Sequence, residues 1–320
     1  MEKQTLISEL ASDTLHGLTS KPKYLLSKYF YDDIGSTIFQ DIMNMPEYYL
    51  TDCEYEIFDT QKSRIIDEFI KDNTHFDLIE LGSGDGLKTK VLLNSMISRL
   101  INISYVPIDI SRKANIDLKK SLAHEIPSLK VKAQTGDFFR VMKKMNGHSG
   151  PRKVLLFLGS NIGNFTDDEI NLFLEHLSEF AHSVDKIMIG FDLKKSPEVI
   201  MKAYNDPHGH TRRFNLNHLV RLNRELGADF NIGNFEHHTE YNPQSGEVKS
   251  FLVSKKDQNV HIEALEESFH FNKFEAVFME LSRKFDLPTI ENYAVRHGFR
   301  VVKHFIDKKE WFADSLWEKV

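Results

Sequence analysis

From residue 76 onward this 320-residue chain repeats short apolar runs: FDLIEL, ISYVPIDI, SLKVKAQTGDF, KVLLFLGS and DKIMIGFDL. Each run is apolar along its length instead of at alternate positions. That pattern suits parallel strands covered on both faces by helices. The intervening segments KTKVLLNSMISRL, RKANIDLKKSLAHEI and DDEINLFLEHLSEF place apolar residues at i, i+3 and i+4, and so read as crossover helices. Strand, helix and strand in this alternation predict an α/β fold built on a doubly wound sheet.

The pattern changes on both sides of that block. Residues 1 to about 70 read as helices broken at Gly35 and Pro46, with dense aromatic islands in KYFYDDIGSTIF and PEYYLTDCEYEIF. Beyond Ser196, KSPEVIMKAYNDPHGHTRRFNLNHLVRLNRELGADF reads as helical. FEHHTEYNPQSGEVKSFLVSKKDQNVHIEAL then alternates polar and apolar residues about Asn-Pro and Ser-Gly turns, the signature of an antiparallel meander. The closing stretch LPTIENYAVRHGFRVVKHFIDKKEWFADSLWEKV reads as a helix ended by Gly298 and two strands that return to the first sheet. The middle region is therefore an insertion. The expected organisation is one domain of residues 58–195 and 283–320, interleaved with a second of residues 1–57 and 196–282.

Composition narrows the function classes. A hydrophobic fraction of 41%, a charged fraction of 28% and 24 Phe describe an ordinary globular chain with an aromatic interior. A net charge of -6 argues against a nucleic-acid surface and favours small-molecule chemistry. The single cysteine, Cys53, allows no intrachain disulfide and suits a reducing compartment. No apolar leader or membrane-length run is present, so a cytoplasmic location is expected. His208 with His210 and His237 with His238 lack a third and fourth ligand at metal-site spacing, so no metal is expected.

The stretch ELGSGDGLK, closing the first apolar run, holds the candidate chemistry. Gly82, Gly84 and Gly86 stand at every second position, which lets a ligand approach the main chain but is not the G-x-G-x-x-G of a dinucleotide site. Asp109, ending the next run, is placed to accept hydrogen bonds from both hydroxyls of a ribose. Asp137 and Phe138, ending the third, can bind an adenine amino group and cover its ring. An E-x-G-x-G-x-G loop followed by an acidic residue at the second strand end resembles the first motifs of class I methyltransferases, whose cofactor is S-adenosyl-L-methionine (SAM).

The resemblance extends over nearly the whole chain. KYFYDDIGSTIF, PEYYLTDCE, ELGSGDGLKT, GDF, FLGSNIGNF, KAY, NRELGADF and MELSRKF follow one another as in the histidine-specific Nα-methyltransferases, which make hercynine in ergothioneine biosynthesis. That resemblance implies a Rossmann-like class I methyltransferase domain with an interleaved α+β substrate-binding domain, and SAM-dependent trimethylation of the α-amine of L-histidine. It implies cofactor contacts at Tyr31, Gly82, Lys88, Asp109, Asp137 and Phe138. It implies acceptor contacts at Tyr48, Gly159, Asn164, Tyr204, Glu280 and Ser282, from both expected domains, with Tyr48 and Asn164 nearest the catalytic event. Physical counterparts follow: Tyr31 and Lys88 for the methionine carboxylate, Asn164 and Tyr204 for the α-carboxylate of the acceptor, Glu280 and Ser282 for the imidazole nitrogens. Without the motif order, Tyr31 and Tyr48 would read as core aromatics and Glu280 as a solvated charge.

Two positions depart from the family pattern. Asn161 stands where Thr is frequent, and Ser250 stands where the histidine enzymes commonly have Met, which makes the imidazole wall smaller and more polar. The broader family also methylates tryptophan-derived amines, so the acceptor is histidine or another aromatic amino acid or amine. A SAM-binding protein without transferase activity is the reading from a different class.

Overall fold

A computed structural model describes residues 2–70, 75–145 and 151–320, with side chains from residue 8 onward. In chain order the helices are α1 (Glu2–Thr19), α2 (Asp33–Met43), α3 (Tyr49–Phe69), α4 (Thr89–Ser98), α5 (Arg112–Glu125), α6 (Phe138–Met145), α7 (Asp167–Phe180), α8 (Pro197–Tyr204), α9 (His210–Leu226) and α10 (Leu287–Arg296). The strands are β1 (Phe76–Leu81), β2 (Ile103–Asp109), β3 (Lys130–Val131), β4 (Gln134–Thr135), β5 (Arg152–Phe157), β6 (Lys186–Asp192), β7 (Phe235–Asn242), β8 (Glu247–Ser254), β9 (Gln258–Ile262), β10 (Glu267–Phe271), β11 (Ala276–Arg283), β12 (Phe299–Ile306) and β13 (Phe312–Lys319). The chain divides into two compact units, residues 1–49 with 195–283 and residues 50–194 with 284–320.

The second of these units is built on one sheet in the order β12-β13-β6-β5-β1-β2-β3, with β4 also paired to β2. The pairs from β6 to β3 and β4 are parallel, while β13 runs antiparallel to both β6 and β12. This is the expected doubly wound sheet with the closing two strands added at one edge. Every residue of β6 is buried, and β5 is buried from Lys153 onward, as uniformly apolar runs require when helices cover both faces. The core gathers Leu155, Phe157, Phe173, Phe191 and Trp317 at 3% exposure or less. Burying each such side chain contributes roughly 1.5–3 kcal/mol. Helix α7 starts on a capping box in which Thr166 and Glu169 satisfy each other's backbone N–H groups. The third apolar run of the sequence yields only the two short strands β3 and β4, because SLKVKAQTGDF carries too many polar residues to sustain a buried strand.

In the other unit, α9 packs against α2, and a three-stranded antiparallel sheet runs in the order β11-β8-β7. Its core includes Phe30, Phe214, Leu222, Phe235, Leu252 and Phe271. The expected meander is realised only as far as β7 and β8. Strand β9 pairs with β10 in a separate two-stranded sheet, and β11 takes the place beside β8. Alternation places a strand's faces correctly but does not name its neighbour.

Gly35 does not break a helix, contrary to the sequence reading. It lies in the first turn of α2, whose cap Asp32 accepts a hydrogen bond from the Gly35 N–H at 2.6 Å. A Cβ at Gly35 would stand 1.7 Å from the Phe30 carbonyl oxygen, so the absent side chain is what allows this close approach.

Candidate functional site

In the sheet unit, β1 is flanked by β2 on one side and β5 on the other, so the chain reverses its winding between β1 and β5. Ligands of open α/β sheets bind outside the strand C-termini at such a switch point. The loop leaving β1 holds Gly82, which donates from its N–H to the Ile108 carbonyl at 2.8 Å and has φ +73°. A Cβ built at Gly84 would meet nothing within 4 Å, so open space lies over the loop. Asp109, half-buried at the end of β2, accepts from the Gly84 N–H at 3.0 Å through one oxygen and from the Ser111 N–H at 2.8 Å through the other. The carboxylate thus ties the glycine loop to the start of α5. Asp137 is exposed and accepts from the Arg140 N–H at 3.0 Å, capping α6, while the half-buried Phe138 ring packs 4.5 Å from Phe139 and 5.8 Å from Phe173.

Lys88 ends the glycine loop, and its ammonium pairs with the Glu54 carboxylate of α3. Burial disfavours charge on Lys88, but Glu54 more than offsets this and raises its pKa above the ordinary lysine value. Glu54 is fully buried and also accepts from the Gly159 N–H at 2.8 and 3.1 Å. Gly159 and Asn164 belong to the loop after β5. There Asn161 donates to the Leu158 carbonyl at 2.8 Å, and its amide nitrogen lies within 3.9 Å of Cβ positions built at both Gly82 and Gly159. Asn161, the first departure noted in the sequence, therefore fastens the loop beside β1.

Beneath the loop, Glu80 accepts from Thr89 Oγ1 at 2.7 Å and from the Tyr105 hydroxyl. Desolvation is the largest influence on Glu80 and pushes its pKa up to about 7, against the opposing pull of those two donors and of Lys88. Asp314 of β13 is fully buried, and desolvation followed by the charge of Glu54 raises its pKa well above the carboxylate range.

The donor set suits SAM. An ammonium with N–H donors left beside its Glu54 pairing is available to a carboxylate, a strand-end carboxylate to a ribose and a half-exposed ring to an adenine, with open space over Gly84.

In the other unit, the Tyr204 hydroxyl lies 2.8 Å from Ser282 Oγ, and both residues are 7% exposed. Glu280 sits two residues before Ser282 on β11, on the same strand face. It lies directly opposite Ser250 of β8, which in turn lies opposite Thr239 of β7. Thr239 Oγ1 donates to the Tyr204 carbonyl at 3.0 Å, holding the end of α8 on the sheet. Ser250, the second departure, is 2% exposed and forms the buried floor of this row.

Tyr31 stacks edge-on against Phe39 and Phe214, both at 5.4 Å, and Phe39 lies 6.2 Å from Tyr48. Desolvation, then the charges of Glu280 and Tyr204, push the Tyr31 phenol above the ordinary tyrosine value. Its 45% exposed surface tempers the desolvation, while the Glu280 carboxylate remains a near neighbour. Tyr31 is anchored through Asp32, which accepts from Asn217 at 3.0 Å and from Arg224 at 2.6 Å.

The named residues thus form two sets, Gly82, Lys88, Asp109, Asp137, Phe138, Gly159 and Asn164 in one unit, and Tyr31, Tyr48, Tyr204, Glu280 and Ser282 in the other. Sequence reasoning passed over Glu54, Asp314 and Thr239. The usable signal was a charged residue inside the buried stretch of a strand, as at Asp314. Among the described residues no group of three or more His, Cys, Asp or Glu could hold a metal ion, and no helix is long and apolar enough to cross a membrane.

Comparison with known proteins points the same way. Residues 10–319 match the family described as histidine-specific methyltransferase, SAM-dependent. A histidine N-alpha-methyltransferase of Mycolicibacterium smegmatis is 34% identical over 96% of this chain and 94% of its own length. Another, of Mycobacterium tuberculosis, is 32% identical over 97% and 95%. Ergothioneine biosynthesis protein 1 of Schizosaccharomyces pombe is 27% identical over 74% of this chain and 31% of its own length. With a class I methyltransferase strand order, a site suited to SAM and a match over almost its full length, the chain belongs to the SAM-dependent, histidine-specific methyltransferase family.

Proposed function

We propose that the protein transfers three methyl groups in succession from SAM to the α-amine of L-histidine, giving hercynine, and that it does so in the cytoplasm. The observation that carries the histidine reading is the row of Tyr204, Ser282 and Glu280. It offers two hydroxyls and a carboxylate in one half-buried place, a set matched to imidazole nitrogens and an α-carboxylate.

SAM supplies an electrophilic methyl group on a positive sulfur with a good leaving group. The chain's own residues have to hold and orient. Lys88 keeps N–H donors for the methionine carboxylate beside its bond to Glu54, and Asp109 serves the ribose hydroxyls. Asp137 and Phe138 serve the adenine. Asn164 and Tyr204 hold the acceptor carboxylate, Glu280 and Ser282 its ring, Gly159 its main-chain side and Tyr48 its cover.

A histidine α-amine is mostly protonated near neutrality, so a proton leaves for water before each attack. No protein nucleophile is needed, and orientation is the catalytic task. Tyr31, whose hydroxyl stays neutral at physiological pH, can donate to the methionine carboxylate, and the rings of Phe39 and Tyr48 are suited to a product with a fixed quaternary charge.

The test compares acceptors. Histidine should exceed histamine by at least about one power of ten in kcat/KM, because histamine leaves the carboxylate donors unpaired. Comparable turnover of the two would remove Asn164 and Tyr204 from carboxylate recognition. Tryptophan turned over faster than histidine would favour the other aromatic acceptor, a reading that Ser250 supports by leaving room beside Glu280.

A further inference from the structure

Four ionisable groups from distant parts of the chain meet at the switch point of the sheet: Glu54 of α3, Glu80 of β1, Lys88 of the glycine loop and Asp314 of β13. Two of them, Glu54 and Asp314, are fully buried. We propose that Glu54 and Asp314 form a hydrogen-bonded carboxyl pair, sharing one proton, that positions Lys88 for SAM and ties the neighbouring Gly159 loop to it. Both are positioning residues, and the inference rests on the reading of this site as a SAM site.

The geometry leaves Glu54 little freedom. Its oxygens receive the Lys88 ammonium and the Gly159 N–H, so one carboxylate joins the loops that leave β1 and β5. Asp314 pairs with Gly190 across the β13–β6 ladder, and a Cβ at Gly190 would stand 2.5 Å from Glu54 Oε1. The space beside Asp314 that Gly190 leaves is therefore filled by the Glu54 carboxylate.

Neither oxygen of Asp314 finds a donor among the described residues, as expected if the group is itself the donor. Two ionised carboxylates in one dry site repel, so one keeps its proton, and desolvation with the charge of Glu54, outweighing the opposing pull of Lys88, selects Asp314. Its O–H then donates to Glu54, whose oxygens also receive the Lys88 ammonium and the Gly159 N–H. A buried ion pair costs desolvation that apolar packing would avoid, so stability alone gives no reason for this cluster. Its place at the strand C-termini supplies one.

The experiment measures SAM affinity by calorimetry without acceptor, on the full chain, with thermal midpoints recorded in parallel. Glu54→Gln should weaken SAM binding about tenfold, because a neutral amide loses the charge paired with Lys88. Asp314→Val should weaken SAM binding about fivefold, and Asp314→Asn, which keeps an N–H donor toward Glu54, should restore most of that loss. Unchanged affinity in Glu54→Gln, or Asn no better than Val at position 314, would overturn the inference. If Glu54→Gln does not fold, the Asn and Val pair decides alone. A wild-type chain that does not bind SAM would instead refute the functional reading, together with whatever rests on it.

Discussion

Glu80 provides a quantitative test of the buried network under the glycine loop. It is 4% exposed, and its pKa stands at about 7 against 4.5 for an unperturbed glutamate, with desolvation the leading cause. A shift of that size corresponds to about 3 kcal/mol of preference for the protonated form in the folded state. The folded chain therefore binds more protons at this position than the unfolded chain between pH 4.5 and about 7. Stability from this group is fully present below pH 4.5 and is lost as pH rises through about 7. Glu80→Gln mimics the protonated group and removes the titration. Urea unfolding should be followed at pH 5 and pH 8 by tryptophan fluorescence. Both tryptophans, Trp311 and Trp317, lie in the unit that contains Glu80, so the signal reports that unit. The fall in unfolding free energy from pH 5 to pH 8 should be smaller in Glu80→Gln than in wild type by about 2.5 kcal/mol. An identical pH dependence in the two proteins would show that Glu80 is ionised in the fold, and would refute the reasoning from desolvation.

Glu280→Ala should cost histidine about 1.5–3 kcal/mol in kcat/KM, while tryptophan loses less, since an indole carries its one N–H at a different place on a larger ring and has no second ring nitrogen for Ser282. An equal proportional loss for both acceptors in competition would assign Glu280 to the fold instead of to ring recognition. Asp109→Ala removes a carboxylate that holds the Gly84 and Ser111 N–H groups as well as the ribose position. SAM affinity measured by calorimetry should fall by about 1–3 kcal/mol, and unchanged affinity would take Asp109 out of the site. Gly35→Ala gains about 1 kcal/mol of helix propensity but places a Cβ against the Phe30 carbonyl, and forced backbone shifts of this kind cost about 1–3 kcal/mol or more. The net change in a thermal melt should be destabilising, and a raised midpoint would contradict the close approach.

The sheet was legible because its strands are apolar on both faces, a pattern that neither a half-solvated strand nor an amphipathic helix produces. Where a run is short and polar, as in Lys130–Val131 and Gln134–Thr135, the signal faded with the strand itself. The partner of β9 was not legible, since alternation in QNVHI suits pairing with β8 as well as with β10. Gly35 misled because a glycine reads locally as a helix breaker, while its reason lies in a backbone oxygen five residues earlier.

At the candidate site, motif order named residues that the fold places at strand ends or on one face of β11, but it did not reach those behind them. Glu54 and Asp314 lie far apart in sequence, and only the three-dimensional sheet brings them to the named Lys88 and Gly159. Ser250 was visible as a departure from family pattern. That it lies between Glu280 and Thr239 across three strands was not.

The most direct measurement is mass spectrometry of L-histidine incubated with SAM and the purified protein, with fragmentation to locate the added groups. The account predicts products carrying one, two and finally three methyl groups, all on the α-amine and none on the ring, with the trimethylated species accumulating. Methyl groups on the imidazole, or bound SAM and histidine with no gain in mass, would contradict it.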